Sequence, residues 1–172
     1  MDVRLRPLEA GDAALLARLY ASQRAFLAPF DPPRPDSFYT LEGQRLELEL
    51  LERERANDRL YRFLIEADGK PAGAISVSRI TRGPFQNAGL GYWVAQELNG
   101  RGVATEAIGR VREWGFATAG LHRLEAATLV DNIGSQVALR RNGFLEIGCS
   151  PSYLYINGAW RDHLLFARTA DG

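Results

Sequence analysis

Two glycines one residue apart, Gly100 and Gly102, mark the stretch of this chain best suited to chemistry, Glu97 to Ala107. A strand-like run, Leu90 to Val94, comes just before it, and a helical pattern begins at once after it. The first four amides of a helix have no partner within the helix, so a glycine turn at this point aims several N–H groups at one spot. The helix dipole adds partial positive charge there. A phosphate fits such a site without any side chain, and the stretch therefore points to a phosphorylated cofactor. The same pattern also suits a plain tight turn. Other candidates lie further on. Asn132 and Ser135 stand one helical turn apart, and Arg140-Arg141 follow on the same helix. Asp162-His163 flank the last strand, and His163 has the intrinsic pKa for proton transfer near neutrality. A lone histidine in a terminal strand is nevertheless more often structural.

Composition narrows the classes. Lys+Arg and Asp+Glu both number 21, a formal net charge of zero, which argues against a dedicated nucleic-acid binder. A single cysteine, Cys149, allows no internal disulfide and suits a reducing, cytoplasmic setting. The start, Met-Asp-Val-Arg-Leu-Arg, lacks an apolar signal region, and no apolar run is long enough to span a membrane. A chain of 172 residues leads us to expect one domain over 1–172.

The elements that must hold the candidates follow from periodicity. Val3–Arg6 reads as a strand. Asp12 is a candidate cap for a helix bearing Leu15, Leu16, Leu19 and Tyr20. Pro29 to Pro35 holds four of the eight prolines and must be a loop. Thr40 is a candidate cap for a second helix running to Asn57-Asp58. Alternation at Tyr61, Phe63 and Ile65, the Asp68-Gly69 turn, and the runs Gly73–Ile80 and Ala88–Val94 predict an antiparallel meander. After the glycine turn comes a helix with Ala104, Ala107, Ile108, Val111 and Trp114 on one face, stopping near Gly120. Arg123–Val130 is a strand. A last helix runs from Asp131/Asn132 to Asn142-Gly143. Strands at Phe144–Gly148, Tyr153–Ile156 and Leu164–Ala167 complete a β-α-α-β-β-β-α-β-α-β-β order, an α/β or α+β fold.

This order, with the turn Asn99-Gly100-Arg101-Gly102-Val103-Ala104 after the third meander strand, resembles the GNAT superfamily of N-acetyltransferases. The family pattern is Gln/Arg-x-x-Gly-x-Gly/Ala, and Asn99 departs from its first position. Asp131-Asn132-Ile133-Gly134-Ser135 with Gly143-Phe144 is similar to the branch that acetylates ribosomal-protein N-termini. So are Gln23–Pro32, Ser78–Phe85 and Tyr153–His163. The likeness covers about residues 3–168. It implies a mixed, mostly antiparallel twisted sheet with a V-shaped splay and about four helices. It also implies acetyl-CoA as cosubstrate, no metal, and a possible homodimer.

Carried onto this sequence, the resemblance assigns the pyrophosphate to the amides of Asn99, Gly100, Arg101, Gly102, Val103, Ala104 and Thr105, chiefly Arg101, Gly102, Ala104 and Thr105. Backbone groups of Trp93, Val94 and Ala95 would meet the pantetheine arm and acetyl group; Tyr92 and Trp93 also suit plain core aromatics. Asn132 would bond the arm, and Arg140, or its neighbour Arg141, the charged end of coenzyme A. Leu139 stands where many relatives place a proton-donating tyrosine, so Ser135 is the candidate acid, although it also suits an ordinary first-turn serine. No base is evident: Ser150-Pro151-Ser152 lies where relatives often carry a carboxylate. An N-terminal amine, with pKa about 7.7–8.0, needs less help than a lysine at about 10.4. The expected acceptor is the N-terminal alanine or serine of a ribosomal protein. The alternatives are a small amine (an amino acid, polyamine or aminoglycoside), or a coenzyme-A-binding module without catalysis.

Overall fold

The computed structural model describes residues 1–171. One seven-stranded sheet has the order β1-β2-β3-β4-β5-β7-β6. The strands are β1 (Val3–Pro7), β2 (Leu60–Ala67), β3 (Lys70–Thr81), β4 (Asn87–Val94), β5 (Arg123–Leu129), β6 (Leu145–Ile156) and β7 (Ala159–Thr169). Every neighbouring pair is antiparallel except β4 with β5. Four α-helices cover it: α1 (Ala13–Leu27), α2 (Leu41–Ala56), α3 (Val103–Glu113) and α4 (Ile133–Arg141). No described helix is long and apolar enough to cross a membrane.

Side chains alternate across a strand, and β2 shows what that means for a sheet covered on both faces. Phe63, Ile65 and Ala67 join the core beneath α3 and α4, together with Ile75, Val77, Leu90, Ile108, Leu139 and Phe166. Leu64, between them, points to the other face and packs with Leu16, Tyr20, Leu48 and Leu51 of α1 and α2. The result is an unbroken buried run, Phe63-Leu64-Ile65.

The hairpin signals hold: both central residues of Asp68-Gly69 and of Asn157-Gly158 have positive φ, as a type I′ turn requires. Thr40 caps α2 by accepting the Gly43 N–H at 3.0 Å. Other expectations are corrected. Asp12 does not cap α1 with its side chain; its carboxylate takes two hydrogen bonds from Arg6, at 2.8 and 2.9 Å, and the Glu9 N–H. The helix does stop near Gly120 (φ +65°), but only α3 proper, to Glu113, is α-helical; it continues as a π-helical turn over Trp114–Thr118 in which Trp114 packs on Tyr61 and Phe63. The two short strands expected between Phe144 and Ile156 are one strand, β6, broken by bulges at Glu146/Gly148 and Ser150/Leu154.

Candidate active site

The site begins where the sheet comes apart. β4 and β5 pair over four residues only, Asn87–Leu90 against Arg123–Ala126. Beyond that point β4 keeps β3 as its neighbour up to Val94, and β5 keeps β7 up to Leu129. Gly91–Val94 and Ala127–Leu129 therefore diverge, each with one bonded side and one open side. This is the V-shaped splay. A cleft of about 700 Å³ occupies it, bounded by β4, β5, the glycine turn, the start of α4 and the loop after α1.

At the mouth of the cleft, Gly100 and Gly102 have φ of +74° and +82°, and a Cβ at either would meet open space. Their glycine requirement is thus one of backbone conformation, not of room. Gly102 is the N-cap of α3, and the first intrahelical bond of α3 is donated by the Glu106 N–H to the Gly102 carbonyl at 3.0 Å. The amides from Gly102 to Thr105 are the ones a helix start leaves without internal partners. The amides of Asn99 and Arg101 are engaged within the turn, donating to Gln96 O (3.2 Å) and Leu98 O (3.4 Å). The free amides therefore centre on Gly102, Val103, Ala104 and Thr105. Gln23 on α1 fixes the segment leading into the turn: its Oε1 accepts the Gln96 N–H at 2.9 Å and its Nε2 donates to Glu97 at 3.2 Å.

Deeper in, the alternation of β4 sends two aromatics to opposite faces. Trp93 turns to α1, donating from Nε1 to the Tyr20 hydroxyl at 3.1 Å, with ring centroids 4.9 Å apart. Tyr92 turns to α4, and its hydroxyl lies 2.7 Å from Ser135 Oγ. Burial pushes the Tyr92 pKa up to about 12, with the Ser135 bond acting weakly the other way. Tyr92 is thus a neutral hydroxyl at any physiological pH. Asn132 caps α4, its Oδ1 accepting the Ser135 N–H at 3.2 Å. Ser135's side chain is therefore occupied with Tyr92 and not with its own helix start.

Of the residues singled out from sequence, Trp93, Val94, Asn99, Gly100, Gly102, Val103, Ala104, Thr105, Asn132 and Ser135 all line this cleft. Three do not. Ala95 is buried, its N–H donating to Ala72 O at 2.8 Å. Arg101 is exposed on the turn and is not part of the cleft wall. Arg140 turns away to an ion pair with Glu146 at 2.6 Å, while Arg141, one residue and about 100° further round α4, reaches the cleft wall. Glu106 faces solvent in an ion pair with Arg110. His163 is 4% exposed at the cleft, its Nδ1–H donating to the Arg161 carbonyl at 3.1 Å.

The sequence leaves Tyr92 and Trp93 equally open to a plain core role and does not pair Tyr92 with Ser135. The period-2 alternation of β4, set against the helix carrying Ser135, is the signal that separates Tyr92 from Trp93. Asp31, in the proline-rich loop, also lines the cleft.

The arrangement can hold an extended ligand with a phosphorylated end at α3 and a thin arm in the splay, next to a hydroxyl pair. The GNAT acetyltransferase domain family matches residues 2–145. The chain is 35% identical over 167 residues to a probable N-acetyltransferase of Bacillus subtilis strain 168, covering 96% of this chain and 92% of that protein. It is 34% identical over 160 residues to the ribosomal protein uS5-alanine N-acetyltransferase of Escherichia coli strain K12, covering 92% and 82%. The solved structure of Mycobacterium smegmatis RimJ in complex with CoA-disulfide superposes with a TM-score of 0.94 at 34% identity, covering 98% of this chain and 82% of that one. A splayed mixed sheet with a glycine turn at its mouth, and matches running through nearly the whole chain, give one conclusion: the chain belongs to the GNAT acetyltransferase family and is an N-acetyltransferase.

Proposed function

We propose that this enzyme transfers the acetyl group of acetyl-CoA to the N-terminal alanine or serine of a ribosomal protein. The observation that carries the reading is the continuity of one cleft from the unpartnered amides of α3, past the Tyr92–Ser135 pair, to the loop after α1. The 34% identity to an enzyme named for an N-terminal alanine supports the choice of acceptor.

Acetyl-CoA, when bound, supplies an electrophilic thioester carbonyl and a thiolate leaving group. The chain's own groups do the rest. The amides of Gly102–Thr105 and the α3 dipole hold the pyrophosphate, and Arg141 adds positive charge along the same wall. Open N–H and C=O groups on the inner sides of β4 and β5 grip an extended arm and orient the carbonyl. With Tyr92 as the donor to Ser135 Oγ, one of the two directions this 2.7 Å pair allows, the Ser135 hydroxyl hydrogen is free to turn toward the cleft, where it can meet a developing thiolate.

The test is release of free thiol when acetyl-CoA is mixed with alanine- or serine-starting peptides, with the acetyl group located at the terminal nitrogen by mass spectrometry. Turnover of such peptides supports the reading. Turnover of free polyamines or amino acids with none of peptides overturns the acceptor and leaves the acetyltransferase.

A further inference from the structure

A second groove, of about 310 Å³, opens beside the cleft. The two share Leu27, Asp31 and Pro32, and Asp31 is the sole carboxylate lining either one among the described residues. We propose that the Asp31 carboxylate, at the join of cleft and groove, binds the acceptor's terminal ammonium and takes its proton. This rests on the N-terminal acceptor reading above and supplies the base that the sequence does not reveal.

The loop places the group firmly. The N–H groups of Phe30 and Asp31 both donate to the Leu27 carbonyl, at 2.9 and 3.0 Å, so the backbone turns back on the end of α1. The side chain is half-buried, and its only ion pair among the described residues runs from Oδ2 to Arg34 Nε at 3.5 Å. Oδ1 has no ion pair. Arg34 reaches only Oδ2 and also lies over the Phe38 ring, and Arg24 is committed elsewhere, lying over Tyr39 while pairing with Asp36. An incoming ammonium therefore meets one anion, set where a peptide in the groove would present its first residue to the cleft. Tyr20, Tyr39 and the Asn157-Gly158 hairpin tip wall that groove and suit an extended backbone.

The proton step balances within the pair. One N–H bond of the ammonium breaks, its electron pair stays on nitrogen for attack, and the proton passes to Asp31 and then to solvent. The charged and titratable groups facing this carboxylate are Arg34 on its own loop, Arg62 on β2, Arg24 and Tyr20 on α1, Tyr39 before α2, and His163 across the cleft. Burial holds the Asp31 carboxyl above the usual carboxylate range, Arg34 and Arg62 drawing it partly back, which brings it nearer to the amine it serves.

D31N is the test, because the amide keeps the shape of the loop. At pH 6.5 the variant should lose about 100-fold in kcat/KM for an alanine-starting peptide, the scale of a lost general base. At pH 9 the loss should shrink to about tenfold or less, because the terminal amine titrates near 7.7–8.0 and is already neutral. Calorimetry at pH 6.5 should show weaker binding of the peptide to the CoA-bound variant, with CoA affinity unchanged. D31E should recover part of the activity. An equal loss at both pH values, or no loss, overturns the proposal. If the wild-type enzyme turns over spermidine and no N-terminal peptide, the acceptor reading fails by itself. The D31N comparison on spermidine then decides the carboxylate's role: an aliphatic amine with pKa about 10.4 is still largely protonated at pH 9, so a loss at both pH values supports it, and parity overturns it.

Discussion

The two ends of the cleft are built in different ways. The end at α3 is made of backbone: two residues of positive φ, a helix start, and four amides contiguous in sequence. The far end is made of side chains delivered by separate elements: Tyr92 from β4, Ser135 from α4, Asp31 from the loop after α1, His163 from β7. A backbone site needs only a local conformation, so its residue types are few and close together. A side-chain site needs the whole sheet to bring its parts within reach, so it varies piece by piece. The same scaffold can therefore keep one ligand while changing what is done with it.

Substitutions can break this contrast or sharpen it. The largest effect belongs to Ser135→Ala, which should lower kcat by about 100-fold or more while leaving acetyl-CoA affinity unchanged in calorimetry. A parallel fall in affinity would mean that the far end also holds the ligand. Gly102→Val should do the reverse. Forcing a β-branched residue to a φ of +82° costs about 1–3 kcal/mol, read as roughly 5- to 150-fold weaker acetyl-CoA binding at an unchanged circular dichroism spectrum.

Tyr92→Phe removes one hydrogen bond and should lower kcat about tenfold, with thioester binding intact. It also has a pH signature. An unfolded tyrosine loses its proton near pH 10, whereas Tyr92 keeps it to about 12, so the native state binds more protons in that window and stability falls as pH rises through it. Thermal melts between pH 10 and 12 should show a shallower decline in Tyr92→Phe than in the wild type. The smallest effect separates neighbours on α4. Arg141→Ala should weaken acetyl-CoA binding by about threefold to tenfold, and Arg140→Ala should leave it untouched, as expected if only the former faces the cleft.

Legibility in the sequence follows the same division. The glycine turn could be read because its chemistry and its spacing coincide within Asn99–Thr105. The order of strands and helices could be read because periodicity changes at Tyr61 and again after Gly102. The Tyr92–Ser135 pair could not, since 43 residues separate its members and only the divergence of β4 and β5 brings them to 2.7 Å. The sequence leaves Arg140 and Arg141 as alternatives, and only Arg141 faces the cleft, because one helical step turns a side chain by about 100° and sequence fixes the phase of a short helix only to within a residue or so. Asp12 reads as a cap because its type suits one, but Arg6, adjacent only once β1 is formed, takes its carboxylate first.

The parting of β4 from β5 has one more consequence. Unpaired strand edges at a protein's rim invite another chain to add itself, and proteins take measures against that. Here the unpaired edges lie inside the sheet and face each other across the cleft, away from its rim strands β1 and β6. The enzyme can leave donors and acceptors permanently unmet without becoming sticky, and the molecule able to meet them must be slender enough to thread lengthwise between two strands.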